Sequence, residues 1–121
     1  MTSNEIIKIS ANALNEKKGK QLAAIKIADI TVLCEYFVIC TASSSTQLRA
    51  LCDEVEEKLS EAGLKPHHIE GRSTGWVCLD YGSVIVHIFT PHEREFYSLD
   101  KMWSDGENID LTQILDNCLE D

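Results

Sequence analysis

No stretch of this sequence is long and apolar enough to cross a bilayer, no two cysteines stand as a C-x-x-C pair, and only 11 of its 121 residues are Lys or Arg. The first absence excludes a membrane-spanning helix. The second excludes the common zinc motifs, and the odd set Cys34, Cys40, Cys52, Cys78 and Cys118 excludes a fully paired disulfide framework. Cys34, Cys40 and Cys52 instead alternate with apolar neighbours, as small core hydrophobes do in a reducing compartment. The third absence bears on partners. Nucleic-acid backbones are bound by clustered Lys and Arg that release condensed counterions. Against 20 Asp and Glu, for a net charge of -9, the scattered basic residues form no such cluster, so direct nucleic-acid binding is not expected. An acidic surface suits a basic protein partner by steering the encounter, although acidity also serves solubility alone. The N-terminus, Met1-Thr2-Ser3-Asn4-Glu5, lacks both the basic-then-apolar order of a secretory signal and the Arg-rich character of a transit peptide. A cytoplasmic location is expected.

What is present fits one domain. Thr2-x-x-Glu5 reads as a capping box, after which Ile7, Ala11 and Leu14 recur at helical spacing until Lys17-Lys18-Gly19. Residues 21–27 alternate as a strand, and Tyr36-Phe37-Val38-Ile39-Cys40 is a continuous β-prone run, expected of a strand buried on both faces. The polar cluster Thr41 to Thr46 caps the next helix. Its apolar stripe is Leu48, Leu51, Cys52, Val55 and Leu59, with Glu54 and Lys58 paired at i,i+4 on the wet face and Gly63 and Pro66 as the stop. A short strand near His68–Glu70, a polar turn at 71–75 and a hairpin follow, with arms Trp76 to Leu79 and Val84 to Phe89 around Asp80-Tyr81-Gly82. Thr90-Pro91-x-Glu93 then starts a helix with Phe96, Leu99 and Trp103 inward. From Ser104, acidic and polar residues surround Ile109, Leu111, Ile114 and Leu115, which reads as a tail with a short helix. This order predicts an α/β (α+β) single domain over 1–104, one mixed sheet flanked by helices, and an acidic tail over 105–121.

Little in the pattern supplies catalysis. His67-His68 with Glu70 lies where neighbouring side chains point to opposite faces, so surface histidines are the plainer account than metal ligands. His87 stands among Val84, Ile85, Val86 and Ile88, where a polar residue is usually hydrogen-bonded within the fold; an interface role is the alternative. Thr41-Ala42-Ser43-Ser44-Ser45 precedes a helix start that could seat a phosphate, but it lacks the glycines and following Lys of phosphate loops, and capping accounts for it better. A nucleotidyl transferase would need, shortly downstream, two carboxylates one residue apart on a strand to hold magnesium. Asp53, Glu54, Glu56 and Glu57 fall on a helix instead. No catalytic residue, metal or cofactor is expected. The most informative stretch is Gly75-Trp76-Val77-Cys78-Leu79-Asp80-Tyr81-Gly82, an apolar hairpin arm with Asp and Tyr at its tip. Trp76 there can equally be core or an interface anchor.

At this hairpin the sequence resembles the ribosomal silencing factor family, also called Iojap-like. The matching residues are Asp53-Glu54-Val55-Glu56-Glu57-Lys58-Leu59 with Ala62-Gly63, Glu70-Gly71, Gly75-Trp76 and Leu79-Asp80-Tyr81-Gly82. They continue through Val86-His87-Ile88-Phe89, Arg94-Glu95-Phe96-Tyr97, Leu99 and Trp103, with Tyr36-Phe37-Val38-Ile39, Thr41, Ser44, Ser45 and Gln47 upstream. The resemblance spans about residues 5 to 104. It implies a nucleotidyltransferase-like fold without catalytic residues. It also implies binding to ribosomal protein fourteen of the large ribosomal subunit, which blocks joining of the small subunit and lowers translation when nutrients are scarce. Homodimers are a further implication. Two other readings stand beside it: a large-subunit biogenesis factor using the same contact, and a nucleotide-dependent transferase.

Carried onto this chain, the contact surface comprises Trp76, Leu79, Asp80, Tyr81, His87, Arg94 and Tyr97. Trp76 and Tyr81 would be aromatic anchors and Asp80 a partner for Lys or Arg. Three departures from the family pattern lie elsewhere: Glu35 where Asp is usual, Ala42 where Gly is common, and a shorter segment between the first two strands.

Overall fold

The computed structural model describes residues 1–27, 34–72, 74–92 and 107–115. Helix α1 (Ser3–Glu16) starts from a complete capping box: Thr2 accepts from the Glu5 backbone N–H while the Glu5 side chain reaches back to Thr2. Helix α2 (Ser45–Glu61) starts from Ser44, whose hydroxyl accepts from the Gln47 N–H at 3.1 Å. It ends where Gly63 turns left-handed at φ +95°, the conformation that costs glycine least. The buried side of α2 is Leu48, Leu51, Cys52, Val55 and Leu59, the stripe its periodicity predicts. Its ion pair differs from expectation: Lys58 lies 3.9 Å from Glu61, at i,i+3, rather than on Glu54. Such an exposed pair contributes little to stability in either register.

The strands are β1 (Lys20–Lys26), β2 (Tyr36–Thr41), β3 (His68–Glu70), β4 (Trp76–Asp80), β5 (Val84–Phe89) and β6 (Glu107–Asn108). They form one mixed sheet in the order β3-β4-β5-β2-β1-β6. Only β2 and β5 run parallel; the other neighbours are antiparallel. The continuous apolar run of β2 lies in the middle of the sheet, and five of its six residues are buried.

Both sheet faces carry apolar clusters. Against the first, α1 and α2 pack Ile7, Leu14, Leu51, Val55 and Leu59 onto Val38, Cys40, Val77, Leu79, Val86 and Ile88. The second holds Ile25, Ile27, Cys34, Phe37, Ile39 and Phe89, with Trp76 and Ile85 partly buried against them.

The segment expected as an appended tail differs in its described part. β6 extends the sheet beside β1, and the Ile109 N–H donates to Ala24 O at 2.9 Å. The short helix is a 3-10 turn (Leu111–Gln113), and Leu111 and Leu115 are buried in the helix-side core. A two-residue strand carries no alternation from which it could be read, which is why the sequence suggested a tail. The helix expected from Pro91 through Trp103 lies outside the described residues beyond His92, as does Cys118.

Candidate partner-binding edge

Strand pleating sends alternate residues of β4 to opposite faces. Val77 and Leu79 enter the helix-side core, at 1% and 0% exposure. Trp76, Cys78 and Asp80 point to the second face and are partly exposed. Antiparallel register places His68 opposite Asp80 and Glu70 opposite Cys78, so the exposed side chains of edge strand β3 share that face. His68 Nε2 lies 2.6 Å from Glu70 Oε1. The result is a sheet edge carrying one partly buried indole and two carboxylates.

The indole is fixed from behind. Its Nε1–H donates to His87 Nδ1 at 3.1 Å, and its ring stacks on Phe89 with centroids 5.1 Å apart and planes 24° from parallel. Phe37 meets the imidazole edge-on, at 4.5 Å and 79°. Because Nδ1 accepts, the neutral ring carries its proton on Nε2. Burial lowers the His87 pKa to about 4, so the ring is neutral near pH 7. Its Nε2 is buried with no hydrogen-bond partner. Cys78 Sγ lies 3.4 Å from the same Nδ1, and burial, reinforced by Glu70 and Asp80, raises its thiol to about pKa 11. Burial raises Cys34 and Cys52 equally far. Thiols held this high are poor nucleophiles.

At the hairpin tip, Asp80 Oδ1 accepts from the Gly82 N–H at 2.8 Å, and the Tyr81 N–H donates to Val84 O at 2.9 Å. One carboxylate oxygen thus shapes the turn, while the group retains acceptor capacity for a partner. Gly71, at φ +81°, is required on the approach to Trp76, because a Cβ there would lie 2.0 Å from the Trp76 carbonyl oxygen.

The residues expected to form one contact surface therefore separate. Trp76 and Asp80 share an accessible face. Leu79 is fully buried beneath the helices, and Tyr81 is 3% exposed, so neither side chain presents itself for contact in this structure. The Tyr81 hydroxyl is buried without a partner, and burial, with Glu56 and Cys52 nearby, pushes its pKa up. His87, 6% exposed, holds Trp76 rather than presenting itself. Arg94 and Tyr97 lie outside the described residues. Sequence reasoning missed that Glu70, opposite Cys78, shares a face with Asp80, and that Phe37 and Phe89 support Trp76; only strand register brings these together.

Among the described residues, one group has metal-ligand spacing: Cys52, Asp53 and Glu56, whose ligand atoms lie within 4.8 Å of one another. Arg72 already occupies Glu56 Oε1 at 2.6 Å, and the Cys52 thiol is raised, which opposes the thiolate a metal needs.

The chain is similar to several known proteins. A ribosomal silencing factor from Bacillus subtilis is 34% identical, over 92% of this chain and 95% of that protein. A crystal structure of a protein from Chromobacterium violaceum superposes with a TM-score of 0.82 at 34% identity, covering 86% of this chain and 88% of that one. A mouse relative named "Mitochondrial assembly of ribosomal large subunit protein 1" is 26% identical over 81% of this chain, which spans 45% of that protein. The family described as "Ribosomal silencing factor during starvation" matches residues 1–120, and the chain belongs to that family.

Proposed function

We propose that this protein represses translation by binding ribosomal protein fourteen on the large ribosomal subunit and sterically blocking the small subunit, with the Trp76–Asp80 edge as the contact. The observation that carries the reading is the pairing of a pre-positioned, partly exposed Trp76 with the carboxylates of Asp80 and Glu70 on one sheet edge, in a family named for ribosome silencing. An indole fixed by a hydrogen bond and a ring stack loses little freedom on binding. The carboxylates suit Lys or Arg of a basic partner. Blocking needs occupancy alone and no turnover, in the cytoplasm where subunits join. Leu79, Tyr81 and His87 support this surface from within; Arg94 and Tyr97 of the matching motif belong to the same proposed contact.

The test is a subunit-joining assay with purified subunits. Trp76→Ala is expected to weaken large-subunit binding by about 2 kcal/mol, roughly thirtyfold, and Asp80→Arg to abolish inhibition, with both variants folded. Inhibition by both at the wild-type concentration would sink the proposed surface. The name of the mouse relative favours a second reading, large-subunit assembly through the same contact. Subunit profiles from cells lacking the protein separate the two, because an assembly role leaves immature large subunits.

A further inference from the structure

We propose that a cavity between the first turn of α2 and the β3–β4 turn binds the phosphate group of a small metabolite. The cavity measures about 490 Å³ and is lined by Ser45, Leu48, Arg49, Arg72, Thr74 and Gly75. That volume lies within the range of small-molecule sites. The lining is selective. Two of the chain's three arginines, Arg49 and Arg72, line this one cavity from separate elements, and no Asp or Glu among the described residues does. Guanidinium groups present flat forks of donors that match phosphate oxygens.

The donors are available. Arg49 makes no hydrogen bond or ion pair among the described residues, and neither does the Ser45 hydroxyl. Arg72 spends one donor on Glu56 Oε1 at 2.6 Å, which anchors it and leaves the rest of its five donors. The Thr74 hydroxyl is engaged with Gly71 O and Trp76 O, so it shapes the wall instead of reaching the ligand. Arg72 already has Glu56 as its counter-ion, whereas Arg49 has none among the described residues and supplies the unneutralised positive charge of the lining. The net charge of -9 opposes a polyanion such as RNA, whereas a small phosphate need only respond to the local field. The site shares no lining side chain with Trp76, Asp80 or Glu70 of the partner-binding edge, and its test is independent of the ribosome.

Isothermal titration calorimetry of the full chain, with pyrophosphate, AMP and a short single-stranded RNA as separate titrants, decides the matter. Pyrophosphate or AMP is expected to bind one to one, with affinity falling about tenfold in Arg49→Gln and in Arg72→Gln. Lys65→Gln, remote from the cavity, should bind as wild type. Arg49→Lys, which keeps the charge but loses the fork, should bind with intermediate affinity. Because Arg72→Gln also frees Glu56, circular dichroism checks its fold, and Arg49→Gln carries the test if that variant unfolds. No binding by pyrophosphate or AMP at millimolar concentration, binding of RNA alone, or unchanged affinity in Arg49→Gln would each overturn the proposal.

Discussion

Trp76 and His87 illustrate how one side chain prepares another. The imidazole is useful to the indole only while Nδ1 is bare, and burial keeps it so by lowering its pKa to about 4. The sign of the linkage follows. The unfolded chain takes up a proton near the ordinary histidine pKa of about 6.5, before the folded chain does, so the neutral ring's contribution is complete above pH 6.5 and is lost as pH falls toward 4. Between pH 6.5 and pH 5 this amounts to on the order of 1–2 kcal/mol. Carboxylates titrate in the lower part of the same window, so the informative quantity is the difference between wild type and His87→Gln, which removes this ionisation alone. Urea unfolding at a series of pH values should show a shallower decline in the variant. Parallel declines would mean that His87 titrates in the folded state as it does in water.

At the level of elements, what the sequence revealed was what is locally encoded. The α2 stripe, its Ser44 cap and its Gly63 stop all lie within one stretch of chain, and each is where the periodicity and capping rules put it. Ser44→Ala, which removes the acceptor for the Gln47 N–H, is therefore expected to cost about 1 kcal/mol in chemical denaturation, with the fold unchanged. A loss below the error of the measurement would mean that water or Ser43 serves the N–H equally well. Pairing across the chain was less legible. Phe37, Trp76, His87 and Phe89 converge because β2, β5 and β4 adopt one register, and nothing near any one of them announces the other three. The hairpin tip looked like a single surface because its residues are consecutive, whereas the pleat sends Leu79 to the helices and leaves Trp76 and Asp80 on the other face. β6 is too short to show any pattern, and its place is set by the β1 edge it covers.

For the molecule as a whole, the excess of 20 acidic over 11 basic residues is a property no single contact explains. If the partner is a basic ribosomal protein, this charge acts mainly before contact, raising the rate of productive encounter, while Trp76 and its neighbours set how long the complex lasts. The two contributions respond differently to salt. The Debye length shortens from about 30 Å at 0.01 M ionic strength to about 8 Å at 0.15 M, so long-range steering fades while contacts already closed are screened far less. Surface-bound large subunits titrated with this protein should therefore show an association rate constant that falls about tenfold over that range, with a dissociation rate that changes little. Trp76→Ala should show the reverse, a faster dissociation at an unaltered association rate. An association rate indifferent to salt would detach the acidity from the encounter and return it to solubility alone, leaving the aromatic edge as the sole physical basis for recognition.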